Sequence, residues 1–395
     1  MPNHYAPPAA DPNRSAAPLS PTRSRPPTSS SRSAPPTSPA RSAPLRSTAP
    51  PPPPRRPARP PTSPLPTVVL ARELTPARVK AEVRSGTLER VRPGAYRPST
   101  SRPATTTSDP GLGPNPTSAP SIPSTTPVAA AAARELALAR IAAVGRQLRT
   151  PFWFSHESAA LIWGCATWQP PDRTHMIQTV RPHGCGDPGL VRHLMALAPE
   201  DRQRWRGVPL TSLDRTVVDC LTRLDPLEGL VIADSALHLG ADRTAIAARI
   251  EARAGGRGVA TARAVLAAAD GRAESPWETR VRHILISAGL PRPELQLPVH
   301  TRLGWFWADL GWRDGRLLIE FDGFVKYSTL ADGDPAAAVF AEKRRQDAIA
   351  EENWGVLRVT AADLRHPKEL VLRVCRRLPA RLVDHLVPIP ALTPW

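Results

Sequence analysis

The hydrophobic pattern changes character three times along the chain. Over residues 1–66 it has no period: Pro, Ser, Ala and Arg follow one another, and such a segment buries too little apolar surface to offset chain entropy. It is expected to be a disordered basic arm. From 67 to 97 the pattern becomes a short helix and a hairpin. Thr75 stands at an N-cap position with Pro76 after it, Val79 and Val83 share a face, and Ser85–Gly86 closes the helix. "TLERV" and "AYRP" then flank the turn "RPG", the pattern of two short strands. A Pro-, Ser- and Thr-rich linker covers 98–127. Residues 128–270 place apolar residues at i, i+3, i+4 in "SHESAALIWG", "TSLDRTVVDCLTRL" and "LEGLVIADSALHLG", which predicts a mostly helical region.

Beyond 270, helical and alternating patterns are interleaved. "ESPWETRVRHILISAGL" predicts a helix capped by Ser275, begun by Pro276 and ended by Gly289, with Trp277, Val281, Ile284, Leu285 and Ala288 inward. Glu278 lies one turn before Arg282, the spacing of an ordinary surface ion pair. "ADLGWRDGRLLIEFDG" predicts two strands around a two-residue turn at Asp314–Gly315, of the kind with positive φ at both positions. That register sets Trp312 opposite Leu317, Leu310 opposite Ile319 and Asp309 opposite Glu320. It gives a core face of Phe306, Ala308, Leu310, Leu317, Ile319 and Phe321. A helix over 336–353, a buried strand over 354–360 and a final helix complete a domain over 271–380, with a tail over 381–395. The whole predicts a multi-domain α/β protein. Its parts are the arm, a small winged helix-turn-helix, the helical middle and a C-terminal α/β sandwich.

Charge adds a partner to this outline. Of 50 prolines, 22 fall in the arm, together with nine arginines against one acid, and the chain carries a formal net charge of +17. A basic balance of this size favours a polyanion. Arg78, Lys80, Arg84, Arg90 and Arg92 cluster around the short helix and hairpin, the outline of a winged helix that binds DNA. The four cysteines form no CxxC pair, which argues for reduced thiols in a cytoplasm and against a structural zinc or disulfide framework. The start of the chain lacks the apolar segment of a signal peptide, and no run of about 18 apolar residues predicts a membrane span. His156, Glu157 and Asp219 read as helix-surface or capping residues, and His183 with Cys185 is too small a set for a metal.

The candidate chemistry sits in the hairpin. Its register brings Asp309, Glu320 and Asp322 onto one surface, where like charges repel. Mg²⁺ or Mn²⁺ would relieve that repulsion through hard carboxylate ligands. A competing reading pairs the acids with the cations of "EKRRQD", 342–347.

The order "ESPWE…R…GLP…Q…D…IEFDG…K…RRQD…W.VLRVT..DL", over 274–378, resembles the Vsr-like branch of the restriction-endonuclease fold, the PD-(D/E)xK nucleases. Upstream, "SGTLERVRPGAYRP", "SHESAALIWG", "LTSLDRTVVDCL" and "VIADSALHLG" resemble AbiEi-type antitoxins of toxin–antitoxin systems. The resemblance implies metal-dependent phosphodiester hydrolysis on DNA. Asp309 matches the first acidic ligand, Glu320 the (D/E) position and Glu278 the helix glutamate. The motif's lysine is Asp322 here, and Lys326 in the following loop stands where related sequences place a basic residue. Lys343 or Arg344 can serve from the next helix, and Arg344 joins the expected DNA contacts. The alternative it leaves open is a non-enzymatic antitoxin-like regulator with a degenerate nuclease domain and a cognate toxin as partner.

Overall fold

The computed structural model describes residues 65–99, 127–181, 186–322 and 335–393. All of them belong to the unit Pro52–Trp395. Most of the arm and of the linker expected over 98–127, together with His183, Cys185 and Lys326, lies outside the described residues.

The first piece is β1 (Val69–Leu70), a single 3₁₀ turn, α1 (Pro76–Arg84), β2 (Leu88–Arg92) and β3 (Ala95–Pro98). The strands form a small sheet in the order β1-β3-β2. Thr75 caps α1 by accepting a hydrogen bond from the Arg78 amide at 3.3 Å. Gly94, at φ 70°, makes the hairpin turn that an L side chain would strain. The face that Val79 and Val83 share is not a buried one: Val83 is 41% exposed and the helix buries no residue. The cause is α2 (Pro127–Gln147), whose Ala139, Ala142 and Ala143 take the apolar face of Val68, Leu70, Val91 and Ala95 instead. Small side chains allow that close approach, so α1 is left outside.

The middle region is not the run of helices that the pattern predicts. A five-stranded sheet lies within it: β4 (Trp153–Phe154), β5 (Thr174–Gln178), β6 (Leu190–Leu194), β7 (Arg202–Trp205) and β8 (Val208–Thr211), in the order β6-β5-β4-β8-β7. The helix α3 (His156–Trp163) follows β4 directly. These strands have two to five residues each, and β5 is buried at every position, so none shows an alternating period. The helical expectation holds downstream, where α4 (Leu213–Leu221), α5 (Pro226–His238), α6 (Arg243–Glu251) and α7 (Val259–Ala268) share one apolar core. Arg215 of α4 holds both Asp219 (2.8 Å) and Asp201 (3.1 Å), so Asp219 is a buried structural acid rather than a surface residue.

The C-terminal piece comprises α8 (Pro276–Ser287), β9 (Glu294–Thr301), β10 (Gly304–Trp312), β11 (Leu317–Phe321), α9 (Pro335–Glu351), β12 (Gly355–Val359) and α10 (Pro367–Cys375). The sheet runs β12-β11-β10-β9, antiparallel except for β11 beside β12. On one side Leu310, Leu317 and Ile319 pack with α8 and α10. On the other, Leu297, Ala308 and Leu318 pack with Ile349 of α9. The described chain is thus a mixed α/β protein of ten helices and three sheets. Among its described residues no helix is long and apolar enough to cross a membrane.

Two details of the hairpin differ from expectation. The pairs Leu310↔Ile319 and Trp312↔Leu317 are the expected ones. The loop between them, however, has four residues, and its positive φ (47°) is at Arg316. The loop takes in Arg313 and Arg316 and inserts nothing between Trp312 and Leu317, so the register survives. The core face does not survive, because the strands exchange faces at Asp309. Ala308 and Leu310 go to opposite cores, as do Leu297 and Leu295 in β9. Between those two, Gln296 has a φ of 51°, and this left-handed residue turns the strand over.

Candidate functional site

The exchange of faces separates the predicted acids. Asp309 sits where the β10–β11 ladder stops, and its Oδ2 accepts the Phe321 amide at 2.8 Å. Glu320, one residue before, goes to the α9 side. There Arg345 donates to both carboxylate oxygens at 2.8 Å, a fork-to-fork pair. Arg345 also binds Glu342 (2.9 Å), and Arg358 lies 3.9 Å from Glu320. The sequence "EKRRQD" thus supplies the partner that the competing reading named. Asp322 follows β11, with its amide donating to the Val359 carbonyl. Asp309, Glu320 and Asp322 do not form a set with ligand atoms gathered around one point; among the described residues only a histidine trio in the middle sheet does so.

Asp309 instead faces α8. Glu278 is 6% exposed, and its carboxylate accepts hydrogen bonds from the Glu274 amide (3.0 Å) and the Ser275 hydroxyl (2.8 Å). The expected pairing with Arg282 is corrected: that guanidinium is buried against Asp234 of α5. Among the described residues, Glu278 has no ion-pair partner. Burial, and next the negative charge of Asp309, push its carboxyl up from 4.5 to about 7. Glu278 and Asp309 thus bear on one another electrostatically, and both are hard oxygen donors of the kind a dication would take. Glu320, clamped by Arg345, does not fit one in this arrangement.

This opposition has a pH signature. Glu278 is harder to ionise in the folded chain than in the unfolded one, so stability falls as pH rises from about 4.5 through about 7. Glu278→Gln removes that slope. Urea melts of both proteins at pH 5 and pH 8 will show the variant gaining on the wild type at pH 8. An unchanged difference between the two pH values would contradict the assignment.

The basic residues are also sorted by the fold. Lys80, Arg84, Arg90 and Arg344 are exposed. Arg78 is paired with Glu82 on its own helix at 2.6 Å. Arg92 is half-buried in an ion pair with Asp187 of the middle region, which withdraws it from a surface role.

Two relatives match this mixed α/β chain. Both are uncharacterized proteins of Mycobacterium tuberculosis, MT2308 of strain CDC 1551 / Oshkosh and Rv2248 of strain H37Rv. Each is 32% identical over 201 residues, which is 49% of this chain and 72% of the relative. The chain belongs to the same family as these mycobacterial proteins. No family model matches the chain, and no solved structure does.

Proposed function

We propose that this protein binds DNA and that its C-terminal domain is a Mg²⁺-dependent endonuclease of the Vsr-like, PD-(D/E)xK kind. The observation that carries this reading is the opposition of Asp309 and Glu278 at the point where the β10–β11 ladder stops. Burial first, and then the charge of Asp309, disfavour an ionised Glu278, and a cation between the two acids would relieve both. The order α8, β9, β10, β11, α9, β12 supports it, with acids on the second and third strands. Asp309 and Glu278 would hold the ion, which supplies charge stabilisation at the scissile phosphate and a water of lowered pKa. Lys80, Arg84 and Arg90 would contact DNA phosphates. Calorimetric titration of the full chain with Mg²⁺ tests the metal half: binding lost in Asp309→Ala supports it, and binding unchanged there counts against it. Mg²⁺ is the suitable probe because imidazole binds it poorly.

A second reading is favoured by the Arg345 clamp on Glu320. A guanidinium in place of a metal suits a regulator of the AbiEi-type antitoxin kind, with a degenerate nuclease domain and a cognate toxin. Both readings need DNA. Gel shifts should weaken several-fold with Lys80→Ala, Arg84→Ala or Arg90→Ala, each with a smaller salt slope, because each removes a phosphate contact. Arg92→Ala should instead lower the melting temperature and leave DNA affinity nearly unchanged. Equal effects at Arg84 and Arg92 would contradict this division.

A further inference from the structure

The middle sheet gathers three histidines that are far apart in sequence. His156 opens α3 directly after β4, His175 lies in β5 and His193 in β6. The parallel register of β5 and β6 sets Ile177 against His193, so the two strand histidines are offset by two residues and share one face on adjacent strands. One ligand atom from each of the three lies within 4.8 Å of the others. We propose that His156, His175 and His193, with Glu157 beside them, bind a transition-metal dication of the zinc class.

The geometry fits that ion. His193 Nε2 and His175 Nδ1 are 3.4 Å apart, close to the separation of two nitrogens at about 2.0–2.1 Å on one tetrahedral zinc. The ring centroids of His175 lie 5.5 Å from each of the other two. His156 and His193 are stacked at 3.9 Å, and binding turns His156 off that stack. The Ser155 hydroxyl lies 3.0 Å from His156 Nδ1, an outer contact that orients the ring and leaves Nε2 for the metal. His156 itself has a φ of 50°, uncommon for a non-glycine residue and often found where function demands it.

An independent observation points the same way. Glu157 Oε2 is buried without a hydrogen-bond partner, 3.5 Å from His175 Nδ1. An acid oxygen left without a donor beside His175 is costly, and the one charge that favours its ionised form, Arg223, is not hydrogen-bonded to it. Glu157 further lines a cavity of roughly 300 Å³ with Trp168, Asp172, Leu224 and Glu228, to which the three histidines do not contribute. The nearby Arg215 is already neutralised by Asp201 and Asp219.

The test uses the full chain, stripped with chelator and titrated with Zn²⁺. The expected result is one ion per chain, with affinity reduced about 100-fold or more by His175→Ala or His193→Ala and about 10-fold by Glu157→Gln. His193 is half-buried, so His193→Gln gives a folded second variant, checked by circular dichroism. Co²⁺ added in place of Zn²⁺ should give the visible bands of a nitrogen–oxygen tetrahedral site without a thiolate charge-transfer band. A chain that takes up no Zn²⁺, affinity undiminished in both His193 variants, or a thiolate band overturns the proposal. None of these outcomes depends on Asp309 or Glu278.

Discussion

Arg282→Ala is expected to cost about 3–5 kcal/mol of stability, the penalty for removing one partner of a buried ion pair. Arg282 and Asp234 have side chains only 2% and 3% exposed. Asp234 also accepts the Thr279 hydroxyl at 2.8 Å and the Asp270 amide at 2.7 Å, while Arg282 donates to the Ala268 carbonyl. Burial, the larger influence, raises Asp234 above the usual carboxylate value, and Arg282 works against it. Without the guanidinium, Asp234 must take up a proton to remain buried, so the loss will be greater at pH 8 than at pH 5. Urea unfolding at the two values measures it; a loss under about 1 kcal/mol would contradict the assignment, since that is the range of exposed pairs. The pair also joins α8 to α5, and Ile286 and Leu392 lie in the core of the middle helices. The boundary expected near residue 271 is therefore a packed contact between the two regions.

Arg345→Ala should tighten Mg²⁺ binding about tenfold, equivalent to ~1.4 kcal/mol. The guanidinium is held between Glu320 and Glu342, which raise its affinity for the proton. Its removal takes one positive charge from beside the acids and leaves Glu320, with a side chain 16% exposed, short of a partner. A dication held by Asp309 and Glu278 then meets a more negative surrounding, although Glu320 stays on the α9 side. The regulator reading predicts no change in Mg²⁺ binding and a loss of thermal stability instead. Calorimetry on the variant distinguishes them.

Much of the C-terminal domain was legible in sequence because its signals are local. Ser275 and Pro276 start α8, and Gly289, at φ 91°, ends it. The pairing of Leu310 with Ile319 followed from the turn, even though the turn type differed. The exchange of faces at Asp309 was not legible, since it depends on Gln296, a residue on another strand with no turn signal. It decides which acids meet: Asp309 goes toward Glu278 and Glu320 toward Arg345. The middle sheet escaped for a similar reason. "THMIQ" is buried throughout and has no period, and His156, His175 and His193 have no metal-ligand spacing, so only strand order unites them. The spacing of Glu278 and Arg282 suggested a surface pair, but both sides of α8 are covered.

Asp309 and Glu278 are proposed to form the centre of a Mg²⁺-dependent DNA endonuclease. Supercoiled plasmid incubated with the full chain and Mg²⁺ tests it most directly. The expected result is conversion to nicked or linear DNA by the wild type, suppression by EDTA, and a rate at least about 100-fold lower in Asp309→Ala, the scale expected when charge stabilisation at the reacting phosphate is lost. DNA left intact by wild type that binds both DNA and Mg²⁺, or cut equally by Asp309→Ala, would contradict it.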